Sequence, residues 1–351
     1  MIEKLTDWSI TAFLAAFRIS VVLIVLVGST LILLQGKYTL AHWLDFVVFG
    51  ITVGSIYALI ELGYTMVYGI LRMINFAHGE VFMSGAFSAY FVADALDKSG
   101  FLDKNPLVGL TLIILFAMAV STGVALLVER IAYRRLRYAP RLVPLICAIG
   151  ASFFLQYTFR GLFGPGLYAY PAVEALRGEW TILGVRILKT QAVVVVAAVL
   201  MMLGLYTVVM RTKIGKAMRS VSEDKEVAAL MGINVDHVIV VTFAIGAAMA
   251  GAAGVLYALI YRQVNFFMGF IPGIKAFTSA VLGGIGNIPG AMLGGLFLGL
   301  FEAVGPALFL EGLGIVAPYQ LKDAIAFTML VLVLIFRPQG LLGERLAAKR
   351  A

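Results

Sequence analysis

Residues 46–70 read FVVFGITVGSIYALIELGYTMVYGI, twenty-five positions carrying one charge, Glu61. As a helix rising 1.5 Å per residue this stretch is about 38 Å long, enough to cross a hydrocarbon core of about 30 Å. Comparable apolar runs, separated by polar breaks, recur near 12–34, 80–97, 106–128, 142–162, 191–210, 239–261, 270–286, 289–310 and 321–336. The chain is 62% hydrophobic and 13% charged, whereas an ordinary soluble domain is about 25% charged. A soluble fold could not hide so much apolar surface, so the expected fold is all-α: a polytopic integral membrane helical bundle with eight to ten transmembrane segments. The stretch 270–286 contains Lys275 and several glycines, which leaves open a full crossing or a broken, re-entrant element. A polar start leads into Ile19 to Leu34 with no small-residue cleavage pattern behind it, so this run is expected to be a retained first helix.

Basic residues set the orientation. With the N-terminus inside, 17 of the 27 Lys and Arg residues fall on inside segments. The two densest clusters, Arg130 to Arg141 and Arg211 to Lys225, share that side, as the positive-inside bias requires. Both termini are then cytoplasmic, and the C-terminal charges Arg345, Lys349 and Arg350 favour ten crossings. The same placement explains the net charge of +8 by membrane orientation, with no nucleic-acid partner. The longest inside loop runs from Arg211 to Val238 and the longest outside loop from Gly164 to Lys189, so one large loop faces each compartment.

Enzyme signatures are missing. Gly36-Lys37 and Gly215-Lys216 lack the upstream glycine and the following Ser or Thr of a phosphate-binding loop, so this chain is not expected to hydrolyse ATP. GGIGNIPG, 283–290, imitates a dinucleotide fingerprint, but its spacing is off by one and an apolar bundle has no βαβ unit to carry it. His42, His78 and His237 are far apart, and Cys147 is alone in an apolar run. No metal, cofactor or disulfide is expected, and Cys147 reads as a small buried hydrophobe.

Small residues point to packing. Gly286, Gly290 and Gly294, then Gly295 and Gly299, recur every four residues, as do Ala247 with Gly251 and Ala250 with Gly254. Such stripes let helix backbones approach closely in lipid, and packing within the chain is favoured over a subunit interface. GSIYALI, 54–60, echoes GVLYALI, 254–260, but seven residues are more readily coincidence than an inverted repeat. Three carboxylates fall inside or at the start of apolar runs: Glu61, Glu80 and Glu302. A buried carboxylate costs several kcal/mol unless it meets water or a partner. A structural hydrogen bond is the first reading for Glu61 and Glu302, ahead of contact with cargo.

In the long inside loop, Ser220 to Met231 reads as a short helix. Ser220 or Ser222 would cap it, Glu223, Asp224 and Glu226 would complement its N-terminus, and Gly232 would end it in a left-handed conformation. That makes a rigid knob on the inside face.

Three stretches resemble one family. GSIYALIELGYTMVYGILRMINFAHGE, 54–80, is similar to the signature region of the permeases of branched-chain amino acid ABC importers of the LivH type, including the INFAHGE turn. GKAMRSVSEDKEVAALMGINVD, 215–236, resembles their cytoplasmic EAA loop, with Glu226, Ala228, Ala229 and Gly232 matching and Val227 replacing one alanine. FRPQGLLG, 336–343, and LGGIGNIPGAMLGG, 282–295, match as well. The resemblance implies an importer permease domain over 46–343, a lead-in over 1–45 with the first helix, and a basic cytoplasmic tail over 344–351. It implies two cytoplasmic ATP-binding subunits coupled through 211–238, namely Ser222, Glu223, Asp224, Glu226, Ala228, Ala229 and Gly232. It also implies a second related permease or a second copy, an external binding protein, and a path to which Glu61, Asn75, His78, Glu80 and Glu302 are the candidate contributors. The host would be a bacterial inner membrane and the cargo leucine, isoleucine or valine; urea or a short-chain amide is the alternative within the family. Outside it, the alternative is an ion-coupled secondary transporter, which would show broken helices with buried ligands near the midplane.

Overall fold

The structure, a computed structural model, describes residues 2–136, 139–140, 142–182, 184–337 and 339–343, with side chains from Ala15 onward. Arg137, Arg141, Pro338 and the tail 344–351 lie outside the described residues. The helices are α1 (Ile2–Gln35), α2 (Leu40–Leu71), α3 (His78–Lys98), α4 (Phe101–Lys104), α5 (Pro106–Val128), α6 (Leu142–Phe163), α7 (Lys189–Arg211), α8 (Lys213–Glu223), α9 (Lys225–Leu230), α10 (Val235–Tyr261), α11 (Phe270–Gly283), α12 (Ile288–Gly305) and α13 (Lys322–Phe336). Among the described residues eight helical segments are long and apolar enough to cross a membrane. The shorter α11 and the more polar α3 complete the ten expected segments.

The bundle is built around α2, which is buried without interruption from Thr52 to Val67. Glycines set its distances. A Cβ on Gly54 would come within 2.9 Å of Gly295 O, and one on Gly50 within 3.1 Å of Gly299 O, so α2 and α12 touch backbone to backbone. Gly251 meets Ala117 O of α5 at 2.6 Å by the same measure, and Gly254 meets Phe82 O of α3 at 2.8 Å. The small-residue stripes therefore serve packing within the chain. Gly286 is the exception: it precedes α12, in a turn with φ of 97° and nothing within 4 Å.

Chain ends and loops sort to two faces. Arg186 contacts Asp45, and Tyr170 N–H donates to Arg262 O at 3.0 Å, joining the loop after α6 to the start of α2 and the end of α10. That loop departs from helix with two small antiparallel pairs: β1 (Tyr168–Ala169) on β4 (Gln263–Val264), and β2 (Glu179–Ile182) on β3 (Val185–Leu188). At the opposite face Arg72 donates to Ser222 O at 3.0 Å, while Leu341 and Leu342 N–H donate to Leu282 and Gly283 O. The crossing near 270–286 is resolved by these anchors. Fourteen residues of α11 cover only about 21 Å. The chain leaves the first face at Arg262, descends through the non-helical residues 265–269, and reaches the other face at Gly283. It is a broken crossing, not a re-entrant loop.

A repeat lies ten residues out of step with the echo seen in the sequence. Arg72-Met-Ile-Asn75-Phe76-Ala-His-Gly79 and Arg262-Gln-Val-Asn265-Phe266-Phe-Met-Gly269 share the pattern RxxNFxxG. Arg72 and Arg262 have φ of 56° and 57° and are the non-glycine residues with positive φ among those described. Each ends its helix with a backbone bond, Arg72 to Tyr68 at 2.8 Å and Arg262 to Ala258 at 2.9 Å. His78 N–H to Asn75 O and Met268 N–H to Asn265 O then close the same turn. The two turns start from opposite faces and meet: a Cβ on Gly79 would lie 2.6 Å from Gly269 O. Inverted repeats in transporters meet in this manner, with helices interrupted inside the bundle.

α1 packs beside the segment 306–313, where Gly28 and Gly312 touch, and Lys37 and Tyr38 both bind Glu311. The lead-in is thus seated on the outside of the bundle, away from its centre.

Candidate functional site

Four of the five path candidates lie around the α2 end and the turn that follows it, but they do different things. Asn75 is buried and its Oδ1 accepts a 2.6 Å hydrogen bond from the Tyr133 hydroxyl, so it braces the turn against the end of α5. His78 is buried with its ring packed edge-on against Tyr64, centroids 4.7 Å apart, and Nε2 pressed against Gly63. Glu61 accepts a hydrogen bond from the Ser279 hydroxyl of α11 and lies against Gly294, whose Cβ would come within 3.0 Å of Oε1. All three hold helices together.

Glu302 is the fifth, and it sits apart. Its Oε1 is 2.8 Å from Lys275 Nζ and 3.2 Å from Lys322 Nζ, and its Oε2 accepts from the Tyr57 hydroxyl at 2.9 Å. Lys275 also pairs with Asp323 at 2.6 Å. The lysine that made 270–286 look unfit to cross is therefore neutralised inside the bundle, which is how intramembrane charge is accommodated.

Glu80 is set apart by the space beside it, since Glu61 Oε1 is likewise buried with no hydrogen-bond partner among the described residues. Glu80 lies in the first turn of α3, 1% exposed, and its Oε1 accepts from Gln156 Nε2 at 2.6 Å and Ser152 Oγ at 3.3 Å. Its Oε2 is buried with no hydrogen-bond partner among the described residues. It borders a cavity of about 260 Å³ whose wall includes Gly79 and Gly269, Tyr64, Phe153, Phe270 and Ile274. Of the five candidates, this cavity takes Glu80 alone. Gln156, Ser152 and Lys275 were not named from the sequence as contributors. Ser152 and Gln156 are four apart in an apolar run, a one-face polar pair that does carry a signal.

The loop from Arg211 to Val238 folds as α8 and α9 in place of one helix. Asp224 breaks them apart and caps α9, accepting from Glu226 N–H at 2.8 Å and Val227 N–H at 3.0 Å. Ser220 and Ser222 are not caps; their hydroxyls donate back to Lys216 O and Arg219 O within α8. A carboxylate reaches the two orphan N–H groups and complements the helix dipole better than either serine. Gly232 has φ of 85° and Ile233 N–H donates to Ala228 O at 3.1 Å, the expected left-handed ending. Ala228 is buried, and Glu223, Glu226 and Ala229 are exposed. Val227, Leu230 and Met231 are 54%, 86% and 77% exposed, an apolar ridge beside the acidic groups.

A family model described as branched-chain amino acid transport system / permease component matches residues 46–334. The chain belongs to this family. The permease protein BraD of a high-affinity branched-chain amino acid transport system from Pseudomonas aeruginosa is 46% identical over 306 residues, covering 86% of this chain and 96% of BraD. The corresponding LivH proteins of Escherichia coli K12 and Salmonella typhimurium are each 43% identical over 300 residues, covering 84% of this chain and 94% of theirs. No solved structure matches the chain. The chain is thus a multi-pass membrane permease, a component of a transport system and not a catalytic subunit.

Proposed function

We propose that this chain is the membrane-spanning subunit of an ATP-driven importer of leucine, isoleucine and valine. What carries the reading is the 46% identity with BraD over nearly the full length of that permease. In this reading residues 46–343 form the permease domain and 344–351 a basic tail. The chain pairs with a second related permease or a second copy in a bacterial inner membrane, both termini cytoplasmic. An external binding protein delivers the amino acid, and two cytoplasmic ATP-binding subunits hydrolyse ATP. No cofactor is required in this chain.

Coupling is assigned to α9 and its flanks: Ser222, Glu223, Asp224, Glu226, Ala228, Ala229 and Gly232. An exposed apolar ridge of Val227, Leu230 and Met231 on a helix capped at both ends supports it, because buried apolar anchors carry most of an interface's energy. The knob is tied to the bundle through Arg72, at the end of α2, which donates to Ser222 O. Movement of α9 in an ATPase groove is in this way passed to the α2 turn.

The test pairs Gly232→Val with Glu226→Lys. A Cβ at φ of 85° is strained by about 1 kcal/mol and redirects the chain at Ile233, which global stability tolerates but a seated knob does not. Both variants should reach the membrane at normal levels, lose labelled leucine uptake and pull down less ATPase. Normal uptake in both would reduce 211–238 to a connecting loop. Competition by unlabelled urea, in place of leucine, would move the cargo to the family's other branch.

A further inference from the structure

The twin turns are alike in backbone, and the residue that follows each differs in kind. Glu80 follows Gly79 in the first, and Phe270 follows Gly269 in the second. Both line the same cavity, at the crossing where the two glycines touch. The cavity therefore has a carboxylate pole and an aromatic pole, and its remaining wall, Phe153, Ile149 and Ile274 among others, is mostly apolar.

Glu80 is held but not satisfied. Gln156 and Ser152, one helical turn apart on α6, fix Oε1, while Oε2 is buried without a partner among the described residues. A buried carboxylate oxygen left unmatched costs free energy that a bound cation would recover. The first turn of α11 borders the cavity as well, and the positive end of a helix interrupted inside a bundle suits a ligand carboxylate. Ile149 and Phe153 are 41% and 47% exposed, so the cavity opens to the outside of the single chain on the α6 side.

We propose that this cavity is a transit site for a free aliphatic α-amino acid, with Glu80 Oε2 receiving the ammonium group and Phe270, Phe153 and Ile274 receiving the side chain. The proposal rests on the reading that the cargo is an amino acid. One charged contact and a half-open apolar wall make a weak site, as passage requires: cargo must enter and also leave.

The test uses the purified complex of permeases and ATP-binding subunits without the binding protein, and measures equilibrium binding of labelled leucine. Leucinol, which keeps the ammonium group, should displace it; 4-methylpentanoate, which lacks it, should not. Glu80→Gln should weaken leucine binding tenfold or more at unchanged membrane level and melting temperature. Should that variant fail to assemble, Phe153→Ala, at a half-exposed position, still reads the site: it should weaken leucine several-fold and alanine much less. Wild-type leucine binding in a well-assembled Glu80→Gln complex, equal loss of leucine and alanine in Phe153→Ala, or displacement by 4-methylpentanoate as good as by leucinol, would overturn the site. Uptake of leucine by the complete wild-type system separates the two levels: if it is present, such a result removes only this site, and if it is absent, the amino-acid reading itself falls.

Discussion

Glu302 and Glu80 are exposed by 5% and 1%, in the same bundle, yet their surroundings differ. Glu302 has Lys275, Lys322 and the Tyr57 hydroxyl around both of its oxygens. Glu80 has neutral donors on one oxygen and, among the described residues, none on the other. A carboxylate whose charge is matched by the protein is a rivet between helices, here tying α2, α11, α12 and α13. One held in place and left half-matched is poised for something that arrives from outside. Burial alone does not separate these roles; the partners and the adjoining cavity together do, for Glu61 also has an unpartnered buried oxygen among the described residues but does not line the cavity that Glu80 borders.

Breaking the rivet should have the largest effect. Lys275→Met leaves Glu302 with only the half-exposed Lys322 as a cation, and removal of one partner of a buried pair costs about 3–5 kcal/mol. Thermal melting in detergent should fall sharply, and adding Glu302→Gln should recover much of the loss, giving a strong coupling term in the double-mutant cycle. Melting of Lys275→Met at the wild-type temperature would show that the network is not structural. Glu80→Gln, by contrast, should barely move the melt, which sharpens the comparison from the other side.

Next in size comes the packing that holds both sites in register. Gly299→Ala places a methyl against the backbone of Gly54, and overpacking of this kind costs about 1–3 kcal/mol. The same change at Gly286, with open space but φ of 97°, should cost about 1 kcal/mol from backbone strain alone. Equal melting temperatures for the two variants would mean that the α2–α12 contact yields more easily than its geometry implies.

Smallest in stability is Asp224→Ala. Loss of the α9 cap costs about 1 kcal/mol, confined to a six-residue helix at the surface. The melt should stay unchanged while ATPase pull-down weakens; an unchanged pull-down would argue that α9 is not the contact.

Much of this arrangement is legible in the sequence because lipid imposes one rule on every run. Backbone groups must be satisfied within a helix, so length and apolarity locate the spans to within a few residues. Residues 265–269 escaped that rule because they cross inside protein, where a non-helical backbone is tolerated. The repeat escaped because it resides in a turn, while the helices before it differ in length; matching helix to helix finds GSIYALI and GVLYALI, and matching break to break finds RxxNFxxG. Gly232 was readable from its position past a helix, whereas the choice of cap among Ser220, Ser222 and Asp224 depended on where α8 stops. Pairings such as Lys275 with Glu302 and Glu80 with Gln156 join separate helices, and one-dimensional spacing does not encode them.

The central claim is that this chain moves branched-chain amino acids only as part of an ATP-driven assembly. Labelled leucine uptake into proteoliposomes tests it directly, comparing the chain alone under a proton or sodium gradient with the chain joined by its companion permease, ATP-binding subunits, binding protein and ATP. Uptake only in the complete, ATP-supplied vesicles is the predicted result, and gradient-driven uptake by the chain alone would contradict it.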